Sequence, residues 1–191
     1  MRTAEYTRKT RETKITAQVN LDGEGVAEID TGMKFLDHML TSLATHSLID
    51  INIKATGDLR HHIAEDTALT LGDALHRALQ QNKYITRFAD AIVPMDESLA
   101  TCSIDLGGRP YHVISLSLAN PMTEDMANED IIHFIETLAI SLRANIHINV
   151  RYGSNDHHKV EAAFKALARC LRAATAIDPR RNEPPSSKGI L

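Results

Sequence analysis

Two copies of one short pattern carry the chemistry of this protein. "HHIAE" spans residues 61–65 and "HHKVE" spans 157–161. Each puts a histidine four residues ahead of a glutamate, a spacing that sets both side chains on one helix face, close enough to share an ion. His61 pairs with Glu65 in this way, and His157 with Glu161. Neighbouring helical residues point about 100° apart, so the second imidazole of each doublet, His62 or His158, must serve another centre. His38 in "LDHMLTSL" and His133 in "IIHFIETL" belong to two further helical segments. The total is six imidazoles and two carboxylates, which the repeat divides into two sites of three histidines and one glutamate. Such a set leaves room for a substrate or water in a five- or six-coordinate shell.

A single HxxxE pair is more often a surface ion pair than a ligand pair. Two copies in register, each with an upstream helix histidine, are poorly explained as solvated faces, and they point to metal. Mixed imidazole and carboxylate donors suit Mn, Fe, Zn or Co without choosing among them. No thiolate belongs to the set, which argues against a closed structural zinc site. His76, His112 and His147 have no acidic or histidine partner at ligand spacing. His46 lies eight residues beyond His38 on the same predicted helix, near enough to reach the site.

Basic residues accompany the acidic cluster. Lys165 follows Glu161 by one helical turn, Arg87 lies at the joint between the two copies, Arg109 in the "GGRP" turn and "SSK" (186–188) near the C-terminus. A fork of such donors suits phosphate, although any one of them is ordinarily solvated surface.

The elements that position these residues are themselves duplicated. The doublets recur at an offset of 96, the segments around His38 and His133 at 95, and "ETKITAQVNLDGEG" from Glu12 matches "ESLATCSIDLGGRP" from Glu97 at 85. Ile15, Ala17, Val19 and Leu21 alternate with polar residues, as a half-buried strand requires, and Ala100, Cys102, Ile104 and Leu106 repeat the alternation in phase. The change of offset implies one insertion, placed in "LANPMTEDMANED" (118–130). Each half is expected to run as strands, a helix with one histidine, a strand (48–57 and 145–153), then a longer helix opening with HHxxE (62–82 and 156–176). Asn155 or Asp156 is positioned to cap the last of these. The predicted class is α+β, an internally duplicated fold of two βα half-domains with sheets packed on helices. Its repeats are assigned to 1–92 and 93–178, followed by a tail over 179–191.

Composition narrows the function classes. The 191 residues carry a net charge of −4, which offers no footprint for nucleic acid or a membrane surface. No apolar run is long enough to span a bilayer, and no signal-peptide pattern is present. Cys102 and Cys170 sit in no metal or redox spacing and read as free thiols of a cytoplasmic protein.

At these residues the sequence resembles the imidazoleglycerol-phosphate dehydratase family of histidine biosynthesis. "GSNDHHKVEAAFK" (153–165) fits the family's second signature at every position, and "FLDHML", "HHIAEDTALTLGDAL", "RFAD", "GGRPY" and "PSSKGIL" resemble family blocks in the right order. Leu59 departs from a usual acidic residue two before the first doublet, Ser42 lies in "HMLTSLATHS" where a glutamine usually follows "HML", and Ser47 stands where glycine is common.

The resemblance implies a fold related to ribosomal protein S5 domain 2 and a hydro-lyase that dehydrates imidazole glycerol phosphate. It implies two Mn²⁺ ions, one on His38, His62, His157 and Glu161, the other on His61, Glu65, His133 and His158. The sites would lie at subunit interfaces of a 24-subunit homo-oligomer. It also implies a catalytic, substrate-contacting Glu12, and a phosphate-grasping set of Arg87, Arg109, Lys165, Ser187 and Lys188 with Ser186 beside them, to which His46 is added as a substrate neighbour. The tail would then contribute to the substrate site. Rival expectations are a metal-dependent hydrolase, since His/Glu sites also activate water, and a non-catalytic metal-binding shell, which needs neither Glu12 nor the Arg/Lys/Ser set.

Overall fold

The computed structural model describes residues 1–81 and 84–187. Its first half runs β1 (Thr3–Lys9), β2 (Thr13–Asn20), β3 (Ala27–Asp30), α1 (Lys34–Ser47), β4 (Asp50–Gly57) and α2 (Arg60–Leu79). The second half repeats this order as β5 (Phe88–Met95), β6 (Ser98–Asp105), β7 (Tyr111–Ser115), α3 (Asn128–Leu142), β10 (Asn145–Tyr152) and α4 (Asp156–Thr175). A small hairpin, β8 (Met122–Thr123) and β9 (Met126–Ala127), interrupts it. That hairpin lies within 118–130, where the changing repeat offset requires extra residues.

The two sheets have the same topology, β1-β2-β4-β3 and β5-β6-β10-β7. In each, three strands run antiparallel and the fourth joins the edge in parallel. β2 buries Ile15, Ala17 and Val19, and β6 buries Ala100, Cys102 and Ile104. Period-2 alternation thus turns one face of each sheet inward, where the helices cover it. α1 also packs on α4, and α2 on α3. These two crossings between repeats join the halves into one hydrophobic core that includes Phe134 and Phe164. Such a core draws its stability chiefly from removal of apolar surface from water.

The second sheet starts a few residues before the expected division at 92/93. That position lies inside β5, all of which pairs with β6, so the second sheet begins at Phe88. Pro94 is accommodated there because β5 is an edge strand, whose outer side needs no ladder donor. Duplication reaches the turns as well. α1 and α3 end at Leu48 and Arg143, both left-handed with φ 59°, a conformation unusual for residues other than glycine. The thiols of Cys102 and Cys170 are free and buried, with Cys170 Sγ donating to the Cys102 carbonyl across the α4–β6 contact.

Candidate metal centres and anion cleft

Each helix crossing between the repeats assembles one His/His/Glu cluster. His38 of α1 meets His157 and Glu161 of α4, and His133 of α3 meets His61 and Glu65 of α2. Within each group one potential donor atom per residue lies within 4.8 Å of the others. Glu161 Oε2 stands 3.4 Å from Nε2 of His157 and 3.7 Å from Nε2 of His38. Glu65 Oε1 stands 3.4 Å from Nε2 of His133, whose ring stacks on that of His61 with centroids 5.5 Å apart. The helical i, i+4 spacing supplies two members of each cluster, and the neighbouring helix from the other repeat supplies the third.

His62 and His158 join neither cluster among the described residues. His62 Nδ1 bonds Asp58 at 2.8 Å and lies 3.8 Å from Glu12. His158 Nδ1 bonds Glu97 at 2.7 Å, with Asp96 Oδ2 3.5 Å from its Nε2. The carboxylates raise both imidazole pKa values above the ordinary value of 6.5, the hydrogen bond to Asp58 or Glu97 being the leading cause. In return His158, with the amides of Asn155 and Ser154, holds Glu97 well below the usual carboxylate range.

All four doublet imidazoles are backed in one way. Asp130 lies 2.6 Å from Nδ1 of His61 and Glu124 lies 3.0 Å from Nδ1 of His157, completing the set with Asp58 and Glu97. An ionised carboxylate only accepts, so each Nδ1 carries the proton and each Nε2 is left with its lone pair in the neutral ring. A carboxylate behind a ligating imidazole is the usual way of fixing tautomer and ring angle at a metal. The donor set therefore fits a divalent cation of intermediate hardness.

Sequence reasoning did not identify these backing carboxylates. Glu97 was within reach, because the offset of 85 maps Glu12 onto it. Asp58 stands one residue before Leu59, which occupies the N-cap of α2 and has no polar group to cap with. At α4 the cap is Asn155, whose side chain accepts from the amides of His157 and His158 and so steadies the doublet itself. Asp156, the alternative cap, is buried and pairs with Lys159 at 2.9 Å.

The expected phosphate contacts divide. Arg87, Arg109, Ser186 and Ser187 line one cleft of about 460 Å³ with Gly107 and Gly108. The Arg87 guanidinium is held by Asp105 at 2.7 and 3.2 Å and by the Pro185 carbonyl at 2.7 Å, and its backbone takes φ 75°. Lys165 is not part of this cleft. It pairs with Glu161 at 2.8 Å, since a lysine one turn after a glutamate on a helix meets that carboxylate first. His46 is exposed; partial burial and the nearby Lys165 charge lower its pKa. Glu12 precedes β2 with its carboxylate open to solvent. Lys188 lies outside the described residues. Of the departures, Ser42 leaves its buried hydroxyl without a partner among the described residues, and Ser47 bonds the Ala44 carbonyl. None of the described helices is long and apolar enough to cross a membrane.

Comparison with known proteins converges on one family. Residues 31–171 match the family model described as imidazoleglycerol-phosphate dehydratase. The imidazoleglycerol-phosphate dehydratase of Dehalococcoides mccartyi (strain CBDB1) is 54% identical over all of this chain and 97% of its own. That of Methanothermobacter thermautotrophicus is 48% identical over all of this chain and 98% of its own. Among solved structures, the Pyrococcus furiosus enzyme in complex with (S)-C348 superposes with a TM-score of 0.85 at 41% identity, covering 97% of this chain and 99% of that one. The Staphylococcus aureus enzyme superposes with a TM-score of 0.84 at 33% identity, covering 91% and 99%.

Proposed function

The protein belongs to the imidazoleglycerol-phosphate dehydratase family, and from that premise we propose that it is a Mn²⁺-dependent hydro-lyase converting imidazole glycerol phosphate to imidazole acetol phosphate in histidine biosynthesis. The observation that carries the metal dependence is the pair of His/His/Glu clusters at equivalent helix crossings, with all doublet imidazoles backed at Nδ1. One ion is assigned to His38, His157 and Glu161, the other to His61, Glu65 and His133. His62 and His158, left outside the clusters of their own subunit, complete the sites of neighbouring subunits, His62 the first and His158 the second. Closed symmetry makes such sharing reciprocal, and the 24-subunit shell is one assembly that provides it.

The chemical difficulty is a carbon-bound proton with no adjacent carbonyl to acidify it. Ions held by the two His/His/Glu clusters would supply positive charge that favours the imidazolate form of the substrate ring. Electron density from that ring would expel the neighbouring hydroxyl, which leaves as water by taking up the proton that the ring nitrogen gave up, and the electron-poor ring left behind acidifies the C–H bond next along the substrate. Glu12, solvent-accessible and beside His62, takes that proton as general base. Arg87, Arg109, Ser186 and Ser187 hold the phosphate in their cleft, where Asp105 keeps the Arg87 fork in a fixed plane. Lys165, Lys188 and His46 complete the substrate contacts. Two buried free thiols accord with a reducing cytoplasm.

The test is addition of imidazole glycerol phosphate to Mn²⁺-loaded, assembled protein, followed by detection of the enolisable ketone. Absence of product would sink the proposal and favour a non-catalytic shell; release of inorganic phosphate instead would favour a hydrolase. Glu12→Gln is expected to keep metal and assembly while turnover is lost.

A further inference from the structure

The repeat makes the two clusters equivalent in ligands but not in what surrounds them. His61 and His157 correspond at the offset of 96. Behind His61 stands Asp130, buried to 8% exposure, with its Oδ1 2.6 Å from Nδ1. At the offset of 95 the counterpart of Asp130 is Phe35, which packs on the His157 ring with centroids 5.1 Å apart and brings no charge. The His157 Nδ1 instead meets Glu124, whose side chain is 58% exposed. The ligand carboxylates differ in the same sense. Glu161 is committed to Lys165 at 2.8 Å, whereas the counterpart of Lys165 beside Glu65 is Leu69.

Charge near the α2–α3 cluster therefore comes from two carboxylates, Glu65 and Asp130, one of them shielded from water. At the α1–α4 cluster the Glu161 charge is offset by Lys165, and the remaining carboxylate, Glu124, faces solvent, where its field is screened. A divalent cation is drawn to the first environment and must compete with an ammonium in the second. Resting on the metal-dependent reading above, the geometry points to two unequal sites: the α2–α3 cluster (His61, Glu65, His133) binds its divalent cation more tightly than the α1–α4 cluster (His38, His157, Glu161), with Asp130 and Lys165 as the residues that set them apart. The asymmetry originates in differences between the repeats, Asp130 in place of Phe35 and Lys165 in place of Leu69, together with the added hairpin. Glu124 sits in the β8–β9 hairpin and Asp130 in the first turn of α3 just beyond it, whereas the first repeat has only Phe35 at the corresponding place.

The experiment titrates metal-free, full-length protein with Mn²⁺, counting free ion by electron paramagnetic resonance while light scattering follows assembly. Two steps separated by about tenfold or more are expected. His133→Ala removes the tighter step and His38→Ala the weaker. Asp130→Asn keeps an acceptor for the imidazole N–H but not the charge, and should weaken the tighter step alone by about 10- to 100-fold, the usual scale for a group behind a metal ligand. Lys165→Leu gives the second repeat the residue of the first and should strengthen the weaker step, which keeps the inference testable if Asp130→Asn fails to fold. Two equal steps in the parent protein would overturn the inequality, and equal weakening of both steps by Asp130→Asn would remove Asp130 from it. A protein that binds no Mn²⁺ at all would overturn the metal reading itself.

Discussion

Glu97 Oε2 lies 2.7 Å from Nδ1 of His158, in the place beside the second doublet that Glu12 takes, at 3.8 Å, beside His62 of the first. One carboxylate of the pair is engaged and the other is open to solvent. Glu97 also accepts from the amides of Ser154 and Asn155 through its other oxygen, so it fixes both the doublet and the turn that launches α4.

Glu97→Gln should therefore damage metal binding more than folding. The amide can still accept from one partner, but the charge that holds Nδ1 protonated is lost. A fall of about tenfold or more in Mn²⁺ affinity is expected with the thermal midpoint little changed. Isothermal titration beside a melting curve checks it, and unaltered affinity would leave Glu97 a purely structural anchor.

Arg87 supplies a second prediction. Its guanidinium is clamped by Asp105 and the Pro185 carbonyl, so lysine cannot reproduce its fork. Arg87→Lys should raise KM roughly 10- to 100-fold, the equivalent of one charge-assisted hydrogen bond of about 1.5–3 kcal/mol, while Mn²⁺ stoichiometry stays the same. A variant with normal KM would take this cleft out of substrate binding.

Packing between the repeats gives a third. A Cβ on Gly72 of α2 would strike the Ser141 side chain and come within 2.9 Å of the Leu142 backbone nitrogen on α3. The hydroxyl can rotate away but the backbone cannot. Overpacking costs roughly 1–3 kcal/mol, against about 1 kcal/mol gained in helix propensity. Gly72→Ala should be net destabilising and should disturb the cluster spanning α2 and α3, leaving the one across α1 and α4 intact. Thermal unfolding with metal counting tests both parts.

Asp156 predicts the acid limb of stability. Burial raises its pKa, but the Lys159 ammonium and the amides of Ala119 and Asn120 outweigh that and hold it at about 2, against an ordinary 3.8. A depressed carboxylate stabilises the fold fully above its unfolded value and ceases to as pH falls through its folded one. About 2 kcal/mol should therefore be lost between pH ~4 and ~2. In Asp156→Asn that part of the pH dependence should vanish, and at neutral pH the buried Lys159 left without its counter-charge should cost roughly 3–5 kcal/mol. Urea unfolding across the pH range measures both.

Sequence by itself determined what depends on period and repetition. Helical spacing settled that His61 shares a face with Glu65 and His157 with Glu161, and period-2 alternation settled which residues of β2 and β6 face inward, because both are local geometry. Duplication fixed the order of elements, and the change in its offset located the β8–β9 insertion. Asp58 stands one helical turn before His62, a local spacing, but only the tertiary structure decided what stands behind the other three doublet imidazoles. Asp130 reaches His61, Glu124 reaches His157 and Glu97 reaches His158 across separations of 69, 33 and 61 residues, and no helical period spans those. Packing likewise supplied the partner that Lys165 meets here, which its spacing left open. With the Arg87 cleft formed elsewhere, the nearest anion is the Glu161 carboxylate one turn away. A period along the sequence describes one element's face; the field at a site comes from every element packed against it.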